Sequence, residues 1–278
     1  MKVSIITATY NSAMHLEDSI LSVINQDYKD IEHIIIDGGS TDGTLAIINK
    51  YKNHIAHWVS EPDRGMYDAI NKGMKLATGD IIGTLNSDDL LADNCVITAI
   101  TNAFHYKDTD VVYGDLVYVL PDDVNNIIRV WKGLPYKRTR YYYGWMPAHP
   151  TFYFKSSLLK KYGYYENHYY TAADYELMAR YLFHFRASAY YLPRLIVKMR
   201  SGGMSNGNIF RRLRANRRDY LAMKRNSIPF AFFVSIIKPF RKIHQYKKMG
   251  VMKMLKPQEE HKPAIPNVVI TREATKVS

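Results

Sequence analysis

Four times in the first hundred residues, a short apolar run gives way to a segment with apolar residues every three or four positions. Lys2 to Ala8, Ile31 to Ile36, about Ile55 to Ser60, and Asp80 to Gly83 read as strands. The segment carrying Leu16, Ile20, Val23 and Ile24 reads as a helix, as do Thr44 to Tyr51, about Met66 to Leu76, and the pattern from about Ala92. Asn11 or Ser12 is expected to cap the first of these. Strands alternating with helices over short links predict an α/β fold with a mostly parallel central sheet and flanking helices. The second strand is apolar almost throughout, as a strand covered on both faces should be. In such a sheet the strand C-termini share one edge, and ligands bind there.

The carboxylates fall at that edge. Asp37 opens the polar turn Asp37-Gly38-Gly39-Ser40-Thr41-Asp42-Gly43, Asp63 follows the third strand, and Asp88 with Asp89 follows the fourth. A fourth site, Asp174, lies in a later helical segment. The sequence has no Gly-x-Gly-x-x-Gly after the first strand and no Gly-Lys-Ser/Thr loop, which argues against a dinucleotide oxidoreductase and a P-loop ATPase. Adjacent carboxylates repel unless a cation joins them, and a hard ion with oxygen ligands, Mg²⁺ or Mn²⁺, suits Asp88 and Asp89. Such an ion commonly arrives with a diphosphate. The plainer readings are a helix cap at Ser87 or Asp88, turn residues at Asp37 and Asp42, and a solvated Asp174 near a helix start.

Past Asp110 the pattern changes. Strands are expected at Val111 to Asp115, Leu116 to Leu120, Ile127 to Trp131, Thr151 to Lys155 and Leu195 to Met199, with a helical segment over Ala172 to Arg180. The basic, tyrosine-rich stretch Pro135 to Tyr143 reads as a mobile loop. The domain layout is then 1–205, split into a nucleotide-binding half (1–110) and an acceptor half (111–205). A basic amphipathic helical extension (206–255) and a disordered tail (256–278) follow.

Charge bears on the extension. The formal net charge of the 278 residues is +12. Between Arg211 and Lys248 lie Arg211, Arg212, Arg214, Arg217, Arg218, Lys224, Arg225, Lys238, Arg241, Lys242, Lys247 and Lys248, opposed only by Asp219. Basic residues interleaved with Phe230, Phe232, Phe233, Ile236 and Ile237 fit an interfacial helix on anionic lipid. Nucleic acid is the competing partner, though no nucleic-acid motif is present. A helix packed on the main domain is the third reading. The N-terminus makes a poor signal peptide, and no apolar run reaches the roughly 18 residues a membrane span needs. With Cys95 the only cysteine, no internal disulfide can form, and a cytoplasmic location is expected.

Several stretches resemble family 2 glycosyltransferases: Val3 to Asn11, Asp37 to Thr44, Glu61-Pro62-Asp63-Arg64-Gly65-Met66-Tyr67-Asp68-Ala69-Ile70-Asn71-Lys72-Gly73, and Asn86-Ser87-Asp88-Asp89. The likeness runs over about residues 2 to 205 and is nearest to bacterial enzymes of capsule, exopolysaccharide and colanic-acid-type assembly. It implies a GT-A fold, a nucleotide-sugar donor (a UDP-sugar favoured) and inversion at the anomeric carbon. The acceptor it implies is a lipid-linked or oligosaccharide glycan at the inner face of the cell membrane. Carried over, Thr7, Ala8 and Tyr10 line the nucleotide pocket, Asp37 bonds the base, and Asp63 sits against base or ribose. Lys72 lies near the donor phosphates, Asp88 faces ribose or metal, Asp89 binds the metal, and Asp174 is the catalytic base. The sequence departs from the family pattern twice, with Asn86 at the first metal-motif aspartate and Ala173 before the base.

His149, Trp145 and Arg200 are further candidates for acceptor or diphosphate contacts, and Tyr141 to Tyr143 for stacking. The absence of Gln-x-x-Arg-Trp argues for a non-processive hexosyl- or N-acetylhexosaminyltransferase. The alternatives are a nucleotidyltransferase acting on sugar phosphates and a non-enzymatic nucleic-acid-binding protein. The first would want a Gly-rich, Lys/Arg-bearing loop after the first strand, where Thr9-Tyr10-Asn11-Ser12 stands.

Overall fold

The computed structural model describes residues 1–202 and 209–237. In its sheet β1 (Val3–Thr9) is flanked in parallel by β2 (Ile31–Asp37) and β4 (Ile81–Thr84), with β3 (His57–Ser60) parallel beyond β2 at one edge. Then β8 (Tyr153–Lys155) runs antiparallel between β4 and β6 (Val111–Val119). The long β9 (Ala189–Arg200) lies parallel to β6, with the short β5 (Leu90–Leu91) antiparallel beyond it. Finally β7 (Ile127–Trp131) pairs antiparallel with β6. Two antiparallel steps around β8 return β6 and β9 to the direction of β1. The C-terminal ends of β1, β2, β3, β4, β6 and β9 therefore point to the same edge.

Helices cover both faces, as the apolar second strand requires. Ile34 and Ile36 pack with residues of α3 (Met66–Leu76), while Ile35 between them packs with Leu16 and Ile20 of α1 (Leu16–Ile24) and Ile48 of α2 (Thr44–Lys50). All three isoleucines are fully buried, each worth about 1.5–3 kcal/mol. The helix α4 (Val96–Lys107) packs with Val3, Ile5 and Ile81. Between β4 and β8 the approach is close: a Cβ on Gly83 would meet the Tyr153 ring at 2.2 Å.

Three expectations change. The last strand is twelve residues long and passes through Pro193, which breaks its apolar pattern. A register shift between Tyr113 and Asp115 of β6 accommodates that stretch. Pro135 to Tyr143 is not a loose loop. Arg138–Tyr143 forms a 3₁₀ helix, Tyr141 is fully buried, the Tyr136 hydroxyl donates to the Leu182 carbonyl (2.7 Å), and Arg138 Nε donates to the Phe183 carbonyl (2.9 Å). Its aromatics outweigh its charges. Nor do Asn11 and Ser12 cap α1 with their side chains. Instead Asn11 Oδ1 accepts from the Thr41 amide, and Ser12 Oγ pairs with Ser87 Oγ at 2.9 Å.

Beyond α5 (Ser156–Tyr162), a 3₁₀ helix (Asn167–Ala172) leads into α6 (Ala173–Met178), which widens into π-helical turns over Ala179–His184. Against these packs α7 (Ile209–Arg225), followed by α8 (Ala231–Ile237). Ala222 and Met223 are fully buried, and Asn226 Nδ2 donates to Glu176 Oε1 (3.3 Å). So over its described residues the basic extension is seated on the main domain. Its remainder from 238, and the tail 256–278, lie outside the described residues. Among the described residues no helix is long and apolar enough to cross a membrane.

Candidate active site

Asp37 ends β2 and is wholly buried. It accepts from the amides of Gly39 (3.1 Å) and Ser40 (3.0 Å) and from the hydroxyls of Ser60 (2.6 Å) and Ser40. The turn needs Gly39 at φ +82°, a left-handed conformation costly to other residues. Here Asp37 organises the loop around itself. The Thr7 side chain is likewise buried, with Oγ1 3.0 Å from His33 Nε2, and Ala8 beside it is partly buried.

Tyr10 and Asp63 are different. Tyr10 is 63% exposed, a ring free to take a flat ligand. Both carboxylate oxygens of Asp63 are buried without a hydrogen-bond partner, although the Lys72 ammonium forms an ion pair with it. Burial raises the Asp63 pKa and outweighs the opposing pull of Lys72. A Cβ on Gly38 would sit 3.3 Å from the Tyr10 ring and 3.4 Å from Asp63 Oδ2, so the glycine keeps the space between them open. A buried acceptor beside an exposed ring and a bare backbone suits a donor-bearing heterocycle or a ribose. Lys72 also meets Glu61 Oε1 at 2.7 Å and the Pro62 carbonyl at 3.3 Å, so its ammonium rests in the Glu61–Asp63 loop.

The adjacent carboxylates of the fourth strand divide their work. Asp89 is fully buried, accepting from Asn86 Nδ2 (2.7 Å) and from the Arg200 amide (3.2 Å). Burial, then the charge of Asp88, push its pKa well above the usual carboxylate range. Asp88 is half-buried. Arg200, at the end of β9, is 5% exposed and donates to the Asp88 carbonyl (2.9 Å), the Pro121 carbonyl (3.0 Å) and Asp18 Oδ2 (2.5 Å). It braces the Asp88–Asp89 turn, and its guanidinium is committed there. Among the described residues no three His, Cys, Asp or Glu side chains gather as a ready metal cage. One accessible carboxylate is nevertheless a fitting donor set for Mg²⁺ or Mn²⁺, which are held by one or two carboxylates together with substrate phosphates.

Asp174 is reached through the α3 motif. It lies in the first turn of α6, and its Oδ2 accepts from the Tyr67 hydroxyl at 2.8 Å, with His149 Nδ1 3.5 Å away. Tyr67 packs on Tyr165, ring centroids 5.1 Å apart. Burial and then the Asp174 charge push both phenols well above the usual tyrosine range, which keeps them protonated as donors. Tyr67 was not among the expected site residues. Its signal was available, since it stands in the Asp63–Gly73 motif. It stands four positions after Asp63, which bounds the Cα separation at about 14 Å. The sheet edge and Asp174 are thus tied together by one short segment.

The neighbouring Glu176 has another fate. It is fully buried in an ion pair with Arg180 (2.8 Å), whose guanidinium also donates to the carbonyls of Tyr162 (2.6 Å) and Tyr164 (2.7 Å). Trp145 is 7% exposed, with Tyr113, Tyr136 and Tyr141 around it at centroid distances of 5.9, 6.2 and 5.7 Å. It belongs to the core and offers no broad face to an acceptor. Tyr143, 65% exposed, is the ring of that stretch left outside.

Known proteins give this geometry a family. Over 180 residues the chain is 34% identical to an uncharacterised glycosyltransferase of Mycobacterium tuberculosis, covering 64% of this chain and 68% of the relative. A PGL/p-HBAD biosynthesis glycosyltransferase of the same organism is 36% identical over 119 residues, 41% of this chain and 46% of that one. Among solved structures, S. aureus TarS 1-349 in complex with UDP-GlcNAc superposes with a TM-score of 0.63 at 19% identity, covering 92% of this chain and 77% of that one. Glucosyl-3-phosphoglycerate synthase from Mycobacterium tuberculosis, in complex with Mn²⁺ and UDP, superposes at 0.55 with 17% identity, over 82% and 81% of the two chains. These likenesses bear out the GT-A-like fold. The glycosyl transferase family 2 model matches residues 4–165, more than half of the sequence, and the chain belongs to that family.

Proposed function

We propose that this glycosyltransferase inverts configuration, moving one sugar from a nucleotide-sugar to a hydroxyl of a glycan acceptor with Asp174 as general base. The carrying observation is the Tyr67–Asp174 hydrogen bond. It joins the segment that bears Asp63 to a carboxylate from a separate element. In-line displacement wants that arrangement, with the base on the side away from the leaving nucleotide. Tyr10 and Asp63 hold the nucleoside, and Asp37 shapes the turn whose Gly38 lies against both. Asp174 takes the acceptor's proton as the new bond forms, a contribution of about 10²–10⁴-fold. A divalent cation held by Asp88 would neutralise charge on the departing diphosphate. Asp89 was expected to bind the metal; its burial instead favours Asp88 as the metal-facing member of the pair, with Asp89 as its support.

The solved neighbours were captured with UDP-GlcNAc, with UDP and Mn²⁺, and, for the mannosyltransferase PcManGT, with GDP-Man and Mn²⁺. A thermal-shift screen of UDP-, GDP- and dTDP-sugars with Mg²⁺ therefore decides the donor. A bound donor at a hundred times its Kd adds about 2.7 kcal/mol. Asp88→Asn should abolish the metal-dependent shift at an unchanged ligand-free Tm, whereas Asp89→Asn should lower the ligand-free Tm. The reverse pattern would exchange the two roles.

We infer further that the acceptor is lipid-linked and that the enzyme works at a membrane surface, in surface-glycan synthesis. Phe230, Phe232, Phe233 and Ile236 are 75%, 60%, 63% and 48% exposed, beside the exposed Arg217, Lys224 and Arg225. Apolar side chains clustered among cations fit anionic lipid. Binding to anionic vesicles should fall as salt rises and fall again in Phe232→Ser/Phe233→Ser; equal binding to neutral vesicles would sink the idea.

A further inference from the structure

Arg64, Tyr165, Asn167, His168 and Tyr170 line an open cavity of about 380 Å³. Its walls come from the two segments that matter most to the site: the turn after Asp63 and the 3₁₀ helix entering α6. The Arg64 side chain is 87% exposed. Its acidic neighbour, Asp68, lies 3.5 Å from Nη2 and is otherwise taken by the Arg64 amide (3.1 Å) and Asn167 Nδ2 (3.2 Å). Most of the guanidinium fork is therefore free for a ligand. His168 stands nearby, 3.6 Å from Glu166, which also faces Arg225 at 4.0 Å.

Tyr170 holds φ 47° and ψ −121°, a conformation a tyrosine rarely adopts, and its ring is 57% exposed. Backbone strain of this kind persists where surrounding structure imposes it, and it concentrates at ligand sites. Arg218 of α7 holds the ring, its guanidinium 4.4 Å from the Tyr170 ring centroid. Behind the cavity, Tyr165 packs on Tyr67, the donor to Asp174.

An exposed aromatic face beside a free arginine fork, next to the base, has a definite preference. The ring takes the apolar face of a sugar, and the fork takes an oxyanion in bidentate fashion. We propose that this cavity is the acceptor subsite and receives a glycosyl phosphate, sugar on Tyr170 and phosphate on Arg64, with α7 as its buttress. The assignment rests on Asp174 being the base. The phosphate can belong to a free sugar phosphate or to the head of a lipid carrier.

Saturation-transfer NMR on the full chain, with saturating UDP and Mg²⁺, tests this. Glucose 1-phosphate represents the free ester, geranyl phosphate the lipid head, and glucose and inorganic phosphate serve as controls. Signal is expected from at least one ester, with the stronger naming the source. That signal should fall at least fivefold in Arg64→Gln for either ester and in Tyr170→Ala for glucose 1-phosphate, and partly recover in Arg64→Lys. Because Arg64 is so exposed, Arg64→Gln should keep the wild-type Tm. Equal signal in wild type and Arg64→Gln overturns the proposal, as does equal signal from glucose, or displacement by UDP. The UDP signal in the same tube reports the donor pocket separately. If UDP fails to bind, the donor reading falls while Arg64 still decides the cavity.

Discussion

The two halves of the site hold their carboxylates by different means. At the sheet edge, Asp37 is fastened by residues within three positions of itself and by Ser60 on the next strand. Asp89 is fastened by Asn86 in its own turn and by one amide from β9. On α6, Asp174 is held by a tyrosine 107 positions earlier, and Glu176 by Arg180 and by Asn226, 50 positions later. Asp37 is preorganised chiefly by its own turn, whereas Asp174 depends on an aromatic far along the chain. On the proposed roles, each half pairs a more deeply held acid with one that does the chemistry: Asp89 with Asp88, Glu176 with Asp174.

The second pair gives the largest expected effect. Asp174→Asn preserves shape and can still accept from Tyr67, so the fold and donor binding should hold while turnover falls about 10²–10⁴-fold, or roughly 3–5 kcal/mol of barrier. Glu176→Gln should do the opposite. It strips the counter-charge from a buried guanidinium, which costs about 3–5 kcal/mol of stability, while activity per folded molecule survives. Urea midpoints and kcat on both variants decide the matter. A stable but inactive Glu176→Gln enzyme, with an active Asp174→Asn, would exchange the two roles and break the parallel with Asp88 and Asp89.

This difference in wiring also explains what could be read from the chain alone. The edge was legible: its strands follow in sequence, its motifs are contiguous, and Asp37, Asp63, Asp88 and Asp89 stand where strands end. The second half was legible in composition but not in arrangement. Trp145 and Tyr141 look like stacking platforms in a sequence rich in tyrosine, yet both are in the core, since nothing local records which ring meets which. Arg200 looks like a diphosphate ligand at the start of a glycine-rich stretch, yet Asp18 and two carbonyls distant in sequence hold it. Tyr67 was overlooked because its meaning depends on a partner far along the chain. The seating of α7 was one of three readings of a basic stretch; it shows only in the burial of Ala222, Met223 and the following Asn226, and it leaves the exposed aromatics beyond them available for a membrane.

Acid should unsettle the first half in two windows. His33 of β2 is wholly enclosed, and burial lowers its pKa to about 4 from 6.5. The unfolded chain therefore takes up that proton first. Stability is full above pH 6.5 and declines towards pH 4, by about 3 kcal/mol in all. The adjacent Glu32 is held down to about 2 by hydrogen bonds from Lys2, Ser4 and Thr78, despite the contrary push of burial. Its contribution is present above about pH 4.5 and is lost as pH falls towards 2. Urea midpoints should decline across both windows, and His33→Gln should flatten the upper one alone. An upper decline that persists in His33→Gln would place the titrating group elsewhere.

The smallest effect tests the seam between the halves. Tyr67→Phe keeps the ring against Tyr165 and removes the hydroxyl that donates to Asp174. A hydrogen bond to a charged group is worth about 1.5–3 kcal/mol. His149, 3.5 Å from the same oxygen, can turn to replace part of it. The net loss should be about tenfold in kcat, with the donor-induced thermal shift unchanged. Because the two donors share one oxygen, Tyr67→Phe combined with His149→Ala should cost more than the product of the single losses. A merely structural tyrosine would lower Tm and spare kcat. If Tyr67→Phe weakens donor binding instead, the hydroxyl serves the nucleotide side through α3, and the boundary between the halves runs behind Tyr67 rather than in front of it.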